Sequence, residues 1–205
     1  MLTEVMGRED QILEDALGLF NTHGAMSTSL RQIASQMEIS DGNLRYYYKT
    51  KEVLVLRLFE QMLAEMNVVI VAQMPLLEGD YNHKRAIEGI SALFRIMYKY
   101  KFFYIEAALY RHYPQVGSAF KGIYEARKML FEQMIIVYKH QGILSTEVSD
   151  RQYDMAFEQF FIISDNWVKY VEIGLSDNDL EDIIAHYAEL CIAIFYPFWV
   201  ENVVK

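Results

Sequence analysis

The side chains best suited to chemistry in this sequence lie within one short segment, residues 28–52. Arg45 carries a forked guanidinium group, which can donate two hydrogen bonds to O6 and N7 of a guanine base. Asp41 can accept a hydrogen bond from N4 of cytosine, while Tyr46 and Tyr47 add hydroxyl groups on flat rings. Together, these residue types indicate recognition of nucleic acid.

Two short helices are predicted to position these side chains. The first follows Ser29, a cap candidate whose oxygen can accept from a free backbone N–H of the first turn. Its apolar residues stand at i, i+3, i+4 and i+7 and share one face: Leu30, Ile33, Ala34 and Met37. After a turn at Glu38 and Ile39, Ser40 is a second cap candidate and Leu44 can reach the same core. This order predicts a helix-turn-helix, a motif that lays its second helix in the major groove of DNA.

An earlier amphipathic segment completes a three-helix unit. Its apolar residues recur at helical spacing: Ile12, Leu13, Ala16, Leu17 and Phe20. The segment ends at Gly24, which suits a left-handed helix terminus. Three such helices can bury their apolar faces against each other and leave the polar side chains of the third helix outside.

Over roughly residues 8–56, the chain resembles the N-terminal DNA-binding domain of the TetR family of transcriptional regulators. The resemblance rests on the spacing of the apolar residues, the helix caps, the turn, and the basic residues that follow the second helix of the motif. The matching residues are Ile12, Leu13, Ala16, Leu19, Phe20, Gly24, Thr28, Ser29, Leu30, Arg31, Ile33, Ala34, Ile39, Ser40, Gly42, Leu44, Tyr46, Tyr48, Lys49, Lys51 and Glu52. The resemblance implies an all-helical, cytoplasmic, homodimeric repressor whose larger C-terminal domain binds a small molecule and thereby weakens operator binding.

The resemblance also implies which residues contact double-stranded DNA. Base-edge contacts fall to Arg31, Asp41, Gly42 and Arg45, with Tyr46 on bases or backbone. Phosphate contacts fall to Ser29, Asn43, Tyr47 and Lys51. A backbone N–H at the start of the next helix could bind the same phosphate as Lys51.

Four positions depart from the family pattern. Glu38 stands where glycine is usual in the turn, and a left-handed backbone there would cost ~1–2 kcal/mol, so we expect a rebuilt turn. Arg45 replaces a common aromatic residue and Tyr47 a common histidine, so the operator cannot be inferred from a relative. Asp41 repels phosphate, and it either accepts from cytosine or interacts only with the helix dipole.

The charge distribution leaves an alternative open. The formal net charge is −9, and residues 1–51 hold five basic and seven acidic side chains. Four of the five cations lie in the paired helices and their exit, whereas five of the seven acidic residues precede residue 16. The alternative is a helical ligand-binding dimer whose N-terminal unit binds a protein rather than DNA, and only the acidic balance supports it.

The rest of the chain is predicted to be helical as well, which gives an all-α fold. We expect a helix-turn-helix domain over 1–50 and a helical ligand-binding and dimerisation domain over 51–205. The sequence has three prolines and no alternation of polarity long enough for a sheet. Helices are predicted over about 51–73, 83–102, 104–113, 119–141, 150–173 and 177–200, separated by Pro75, Gly79 and Asp80, by Pro114 and Gly117, and by Gly142 and Gly174. Pro197 is expected to kink or end the last helix.

The last two helices are predicted to form a homodimer interface. Both are apolar over so much of their girth that something besides their own domain should cover them. The predicted interface residues are Phe160, Ile163, Tyr187, Cys191, Ile194, Phe195 and Phe198. Two helices from each of two chains would make a four-helix bundle. The alternative is a monomer in which these helices are simply central and buried.

Aromatic and methionine residues crowd the middle helices, and such side chains line adaptable apolar pockets. The predicted ligand contacts are Phe103, Tyr104, Tyr110, Tyr124, Phe161 and Trp167. The same residue types also fill ordinary cores, so the composition favours a small apolar or aromatic effector without locating it.

Other classes of function find little support. The five histidines lack the i, i+4 spacing of helical zinc sites, and neither a glycine-rich phosphate loop nor a nucleophile elbow occurs. We therefore predict no enzyme activity, no metal and no cofactor. The uncharged run 190–200 is shorter than the ~20 residues that a membrane span needs, so no membrane association is expected. The single cysteine, Cys191, and an N-terminus unlike a signal peptide indicate the cytoplasm.

Overall fold

The computed structural model describes residues 7–73, 82–175 and 178–200. Within these ranges the chain forms ten α-helices: α1 Arg8–His23, α2 Leu30–Gln36, α3 Asp41–Tyr47, α4 Lys51–Gln73, α5 His83–Lys99, α6 Phe102–Ile105, α7 Ala108–His112, α8 Pro114–His140, α9 Asp150–Glu172 and α10 Leu180–Ala193. A 3-10 turn, Tyr196–Phe198, follows α10, and Leu144 and Trp199 form an isolated antiparallel bridge. The predicted all-α fold is confirmed.

The helices divide between two compact units. The first comprises Met1–Ala64 with Tyr100–Phe120, and the second comprises Glu65–Lys99 with Lys121–Lys205. The predicted boundary at residue 50 marks the end of the helix-turn-helix pattern rather than of a compact unit, and it stays a prediction.

The first unit is built on the apolar faces of α1, α2 and α3. Of the residues predicted to face this core, Leu17 and Met37 are half-buried. The others are buried: Ile12, Leu13, Ala16, Phe20, Leu30, Ile33, Ala34 and Leu44. Helix α6 completes the core, because Phe102 packs on Phe20 at 5.2 Å and Phe103 packs on Phe59 at 5.1 Å between ring centroids. A segment far along the chain therefore supports the helix-turn-helix.

The second unit is built around α5, α8, α9 and α10. Trp167 of α9 is fully buried and stacks on Phe94 of α5 at 5.1 Å. Phe131 of α8 lies between Phe157 of α9, at 5.1 Å, and Phe195, at 5.5 Å. These aromatic contacts hold the four helices around one apolar interior.

Several predicted helix boundaries need correction. Helix α4 has the predicted bounds, but the helix predicted to continue to 102 ends at Lys99. Helix α7 ends at His112, before Pro114 as expected, but the helix predicted from 119 already begins at Pro114, where proline's missing N–H has no cost. Helix α10 ends at Ala193, before Pro197. The predicted break at Pro75, Gly79 and Asp80 lies outside the described residues.

Among the described helices, none combines the length and the apolar character that a passage through a lipid bilayer would require.

Candidate nucleic-acid interface and candidate ligand cavity

Helices α2 and α3 begin at the two predicted caps. Ser29 Oγ accepts from the N–H of Gln32 at 3.3 Å, while Gln32 Oε1 accepts from the N–H of Ser29 at 2.7 Å. This reciprocal pair is a capping box. Ser40 Oγ accepts from the N–H of Asn43 at 3.1 Å. The serines therefore fix where each helix of the motif begins.

The turn between α2 and α3 keeps its left-handed residue. Glu38 has φ 55°, and it is the only non-glycine residue with positive φ in the described chain. The N–H of Ile39 donates to the carbonyl of Ala34 at 2.9 Å, and that of Glu38 donates to Ser35 at 3.2 Å. This pair of bonds is a Schellman motif. The expectation of a rebuilt turn was wrong, because the two bonds hold glutamate in a geometry that glycine usually adopts.

Helix α3 turns one face inward and exposes the other. Leu44 and Tyr48 are buried in the core of the first unit. Tyr48 donates to Glu9 Oε1 at 3.3 Å, and burial together with that carboxylate raises the pKa of its hydroxyl. Tyr46 is 82% exposed, and the following predicted contacts are exposed as well: Ser29, Arg31, Gly42, Asn43, Arg45 and Tyr47. The exposed face thus carries the predicted DNA contacts of α3.

Two of the departures from the family pattern contact each other. Arg45 Nε lies 2.7 Å from Asp41 Oδ2, one turn earlier on α3. Arg45 Nη1 also donates to the carbonyl of Lys49 at 3.3 Å. Both side chains are about half exposed, so the pair adds little to stability, but it restricts where the guanidinium points. Asp41 therefore has an intramolecular partner that neither sequence-based interpretation foresaw.

Lys51 is the first residue of α4, as predicted, and its side chain contacts the loop between α1 and α2. Its Nζ donates to three backbone carbonyls, those of Ala25 at 2.7 Å, Met26 at 3.2 Å and Thr28 at 2.9 Å. Burial lowers the pKa of this ammonium, and the Glu106 carboxylate opposes that shift. An ammonium has three donors, and here all three are engaged within the chain. A phosphate contact of this side chain would have to compete with these three bonds, and it stays a prediction, as does the role of the backbone at the start of α4.

Glu106 binds the N–H groups of the same loop, whereas Lys51 binds its carbonyls. Its carboxylate accepts from the N–H of Ala25 at 2.5 Å and from the N–H of Met26 at 3.3 Å. Gly24 adopts φ 84°, and a Cβ there would lie 2.5 Å from Glu106 Oε1. We call residues 24–28, held by Lys51 and Glu106, the clamped loop. Because this loop joins α1 to α2, the clamp positions the whole helix-turn-helix.

The second unit encloses a cavity of about 330 Å³. This volume lies at the lower end of the ~300–1,000 Å³ typical of ligand pockets. The lining residues are mostly apolar: Met66, Ile70, Gln73, Asn82, Arg85, Ala86, Gly89, Ile90, Leu93, Phe94, Met97, Arg127, Leu130, Phe131, Met134, Tyr138, Leu144, Phe157, Phe160, Phe161, Ser164, Cys191, Ile192, Phe195 and Trp199. The cavity is the candidate ligand site.

Of the six predicted ligand contacts, Phe161 lines this cavity. Phe103 and Tyr104 are buried in the core of the first unit, and Tyr110 donates to the carbonyl of Phe103 at 2.9 Å. Tyr124 packs edge-on against Phe161 at 4.6 Å, behind the wall. Trp167 is fully buried beneath Phe94. The other five are thus core or wall-supporting residues, because residue type alone does not separate a cavity from a core.

One ion pair lies at the cavity wall. Arg127 Nη1 is 3.2 Å from Asp165 Oδ1, and the guanidinium lies 5.5 Å from the ring centre of Phe161. Burial raises the pKa of Asp165, and Arg127 opposes that shift. Asp165 thus has its charged partner within the chain. Arg127, 38 positions away, was missed because no local pattern joins the two.

The residues predicted for the dimer interface differ in how far their own chain buries them, and the interface stays a prediction. Cys191 and Phe195 are buried within their own chain, and both line the cavity together with Phe160. Burial raises the pKa of the Cys191 thiol to about 12. Ile163, Tyr187, Ile194 and Phe198 are half-buried. The exposed apolar residues of these helices and their ends are instead Met155, Ile162, Tyr170, Ile173, Leu175 and Leu190.

Metal binding was not expected from the sequence. In the ranges that the structure describes, His, Cys, Asp and Glu side chains do not gather in groups of three or more that could hold a metal ion.

Two family profiles together match most of the chain. The profile described as "Bacterial regulatory proteins, tetR family" matches residues 12–58, and the profile described as "Bacterial transcriptional repressor" matches residues 59–203. The first range overlaps the helix-turn-helix pattern. The second covers more than half of the sequence.

Individual relatives agree with these profiles. The chain is 28% identical over 76 residues to an HTH-type transcriptional regulator in the dhlA 5′ region of Xanthobacter autotrophicus; the match covers 37% of this chain and 38% of that protein. A TetR-family regulator from Marinobacter aquaeolei VT8 has a similar structure, with a TM-score of 0.82, 15% identity and coverage of 96% of this chain and 93% of that one. The TetR-family regulator PfmR from Thermus thermophilus has a TM-score of 0.67 at 17% identity, covering 90% and 98%. At these identities, the two structures show a shared fold.

Proposed function

Since the chain belongs to the TetR family of DNA-binding bacterial transcriptional regulators, which are typically repressors and not enzymes, we propose that it represses transcription as a homodimer on a palindromic operator. A small, mainly apolar effector bound in the cavity releases it from DNA. As a regulator of bacterial transcription, it acts in the cytoplasm.

The observation that carries this proposal is the exposed face of α3. Asn43, Arg45 and Tyr46 project from a seven-residue helix whose other face is fixed by Leu44 and Tyr48. Side chains of these types can reach base edges and phosphates when a helix lies in the major groove. Arg31 and Ser29 at the start of α2 add contacts to the flanking DNA.

We assign the base selectivity of the proposed recognition helix, α3, partly to Asp41. Its contact with Arg45 Nε directs the guanidinium along α3 before DNA is bound. A guanidinium with a fixed direction loses less conformational entropy when it binds a guanine. The negative charge of Asp41 also weakens attraction to arbitrary phosphates. Preference for one base is thereby gained at the cost of general affinity.

Two copies are needed because one helix of this length reads only a few base pairs. Paired recognition helices must lie ~34–36 Å apart to enter successive major grooves on one face of DNA. The exposed apolar residues Ile162 of α9 and Ile173, which follows its last residue, support a homodimer through this helix and α10.

The proposed release acts through α4. This helix begins at Lys51, which holds the clamped loop, and its later residues Met66, Ile70 and Gln73 line the cavity. A ligand that packs against those three residues favours one position of the helix over another. A shift of a few ångströms at each recognition helix is enough to spoil the operator spacing.

Selection from random-sequence duplex DNA tests the proposal. Several rounds of enrichment with the purified protein should yield an inverted repeat, and anisotropy titrations should show binding that weakens as salt rises. Failure to enrich any site at low and moderate salt would contradict the proposal. In that case the first unit should be examined for protein partners whose binding is indifferent to competing DNA.

A further inference from the structure

The charged residues among the described lining of the cavity are all basic, although the protein as a whole is acidic. The protein is acidic, with 28 aspartates and glutamates against 19 lysines and arginines. Yet the described residues that line the cavity include two arginines, Arg85 and Arg127, and neither aspartate nor glutamate. A cavity with this lining favours a ligand that carries negative charge.

The two arginines lie toward different ends of the cavity. Arg127 Nη2 lies 3.8 Å from Met66 Sδ of α4. Seven residues later on α4, Gln73 packs close to Gly89 of α5, where a Cβ would lie 3.0 Å from its Cδ. Seven residues of helix span about 10 Å. Arg85 is one turn before Gly89, so it lies at the Gln73 end and Arg127 at the Met66 end.

The surroundings of the two cations differ. Arg127 is half-buried, and Asp165 balances its charge. Arg85 is exposed, lies in the first turn of α5 and has no carboxylate within ion-pair distance in the described part of the chain. Gln73 and Asn82 line the same end of the cavity. Among the described residues, the Arg85 end therefore offers a cation without a carboxylate partner, beside two amide groups.

We infer that the cavity binds an amphipathic anion, whose charged head contacts Arg85 and whose apolar body fills the chamber beyond it. The chamber walls suit the body, since Leu93, Phe94, Met97, Phe131 and Phe157 all face it. The head keeps part of its hydration at the exposed end, which limits the cost of burying charge. Carboxylate and phosphate both match a guanidinium fork, so either head group fits this chemistry. The inference rests on the proposed function, because it names the effector class of the same cavity.

Calorimetric titration of ligands that share one alkyl tail but differ in head group measures the contribution of the head group to affinity. Dodecanoate, dodecyl phosphate, dodecanol and dodecylamine are titrated below their micelle concentrations, with octanoate and decanoate added to vary the tail. We expect at least one of the two anions to bind about tenfold more tightly than the alcohol, with the amine weakest. Each added methylene should tighten binding about fourfold until the chamber is full. Equal binding of anion, alcohol and amine would overturn the inference.

Two variants assign the head group to Arg85. Arg85→Ala should remove the preference for the anion over dodecanol while leaving dodecanol binding unchanged. Arg85→Lys should restore part of that preference. Lys84→Ala removes the same charge one residue away, from a side chain that is 87% exposed and outside the lining, and it should bind like the wild type. Similar losses in Arg85→Ala and Lys84→Ala would contradict a specific contact.

Operator binding distinguishes failure of the inference from failure of the proposed function. If the selected operator is bound but the anions neither bind nor release it, the effector class is wrong and the regulator stands. If no operator is found and the anions bind through Arg85, the ligand class stands and the DNA-binding proposal fails.

Discussion

At the scale of single residues, the proposed base recognition depends on Asp41 and Arg45. Arg45 Nε lies 2.7 Å from Asp41 Oδ2, so the two side chains constrain each other. The family-derived expectation that each contacts a base independently is therefore incomplete. We propose that Arg45 is the base-reading group and that Asp41 positions it.

Replacing Arg45 by alanine should erase the preference for one base pair in each half-site. A bidentate arginine–guanine contact gives ~1–3 kcal/mol of discrimination, so the ratio of affinities should fall about 5- to 150-fold. Asp41→Ala should lower the same ratio and raise affinity for scrambled duplex, because it removes a repulsive charge. Both ratios come from anisotropy titrations with single base-pair variants.

Arg151→Ala is the matched control, since this arginine is exposed on α9 in the other unit. It should leave the base preference unchanged. An Asp41→Ala protein that keeps the full preference of the wild type would refute the positioning role.

Glu38 stores strain that glycine would remove. Its φ of 55° lies in the region that costs a residue with a Cβ ~1–2 kcal/mol, while glycine loses ~0.5–1 kcal/mol of chain entropy. Glu38→Gly should therefore raise the free energy of unfolding by roughly 0.5–1 kcal/mol in urea titrations. Glu38→Ala loses the same charge but keeps the Cβ, and a comparable gain in that variant would show that strain is not the cause.

At the scale of elements, the clamped loop decides how α1 and α2 are held. Lys51 satisfies three of its carbonyls and Glu106 satisfies two of its N–H groups. The two side chains come from α4 and from the end of α6, so a short loop is tied to two other elements of the first unit.

Lys51→Met should destabilise the first unit, because the partly buried carbonyls lose a charged donor. We expect a loss of about 1–3 kcal/mol in the free energy of unfolding. Lys49→Met makes the same change at an exposed side chain two residues earlier, and it should have little effect on stability. Equal stability of Lys51→Met and Lys49→Met would mean that the clamp contributes nothing.

The sequence was most informative about the helices themselves. The apolar stripes, both serine caps and the bounds of α4 follow from local rules, and all are present in the structure. The contacts of Lys51, Glu106 and Arg127 could not be predicted, because their partners lie 23 to 81 positions away. A ligand pocket was predicted but not located, since a helical period marks the inward face but does not tell whether side chains fill the space.

At the scale of the whole molecule, the proposed homodimer determines whether two recognition helices can meet DNA together. Ile162→Asp places a charge on the exposed face of α9 and should convert the dimer to a monomer in analytical ultracentrifugation. Operator affinity should fall with it, because each copy would then bind only a half-site.

The chain offers a close control for this variant. Ile136 on α8 is 59% exposed, compared with 62% for Ile162. Ile136→Asp should remain dimeric. If neither variant changes the mass, or if the wild type is itself monomeric at micromolar concentration, the interface is not on α9.

The comparison of specific with scrambled DNA tests the central claim, that α3 of this chain reads sequence. The affinity of the wild-type protein for its selected inverted repeat and for a scrambled duplex of the same composition is measured at one moderate salt concentration. We expect the repeat to bind at least about a thousandfold more tightly, and Arg45→Ala to lose much of that ratio. Equal affinities for the two duplexes, or a ratio that Arg45→Ala leaves intact, would contradict the account.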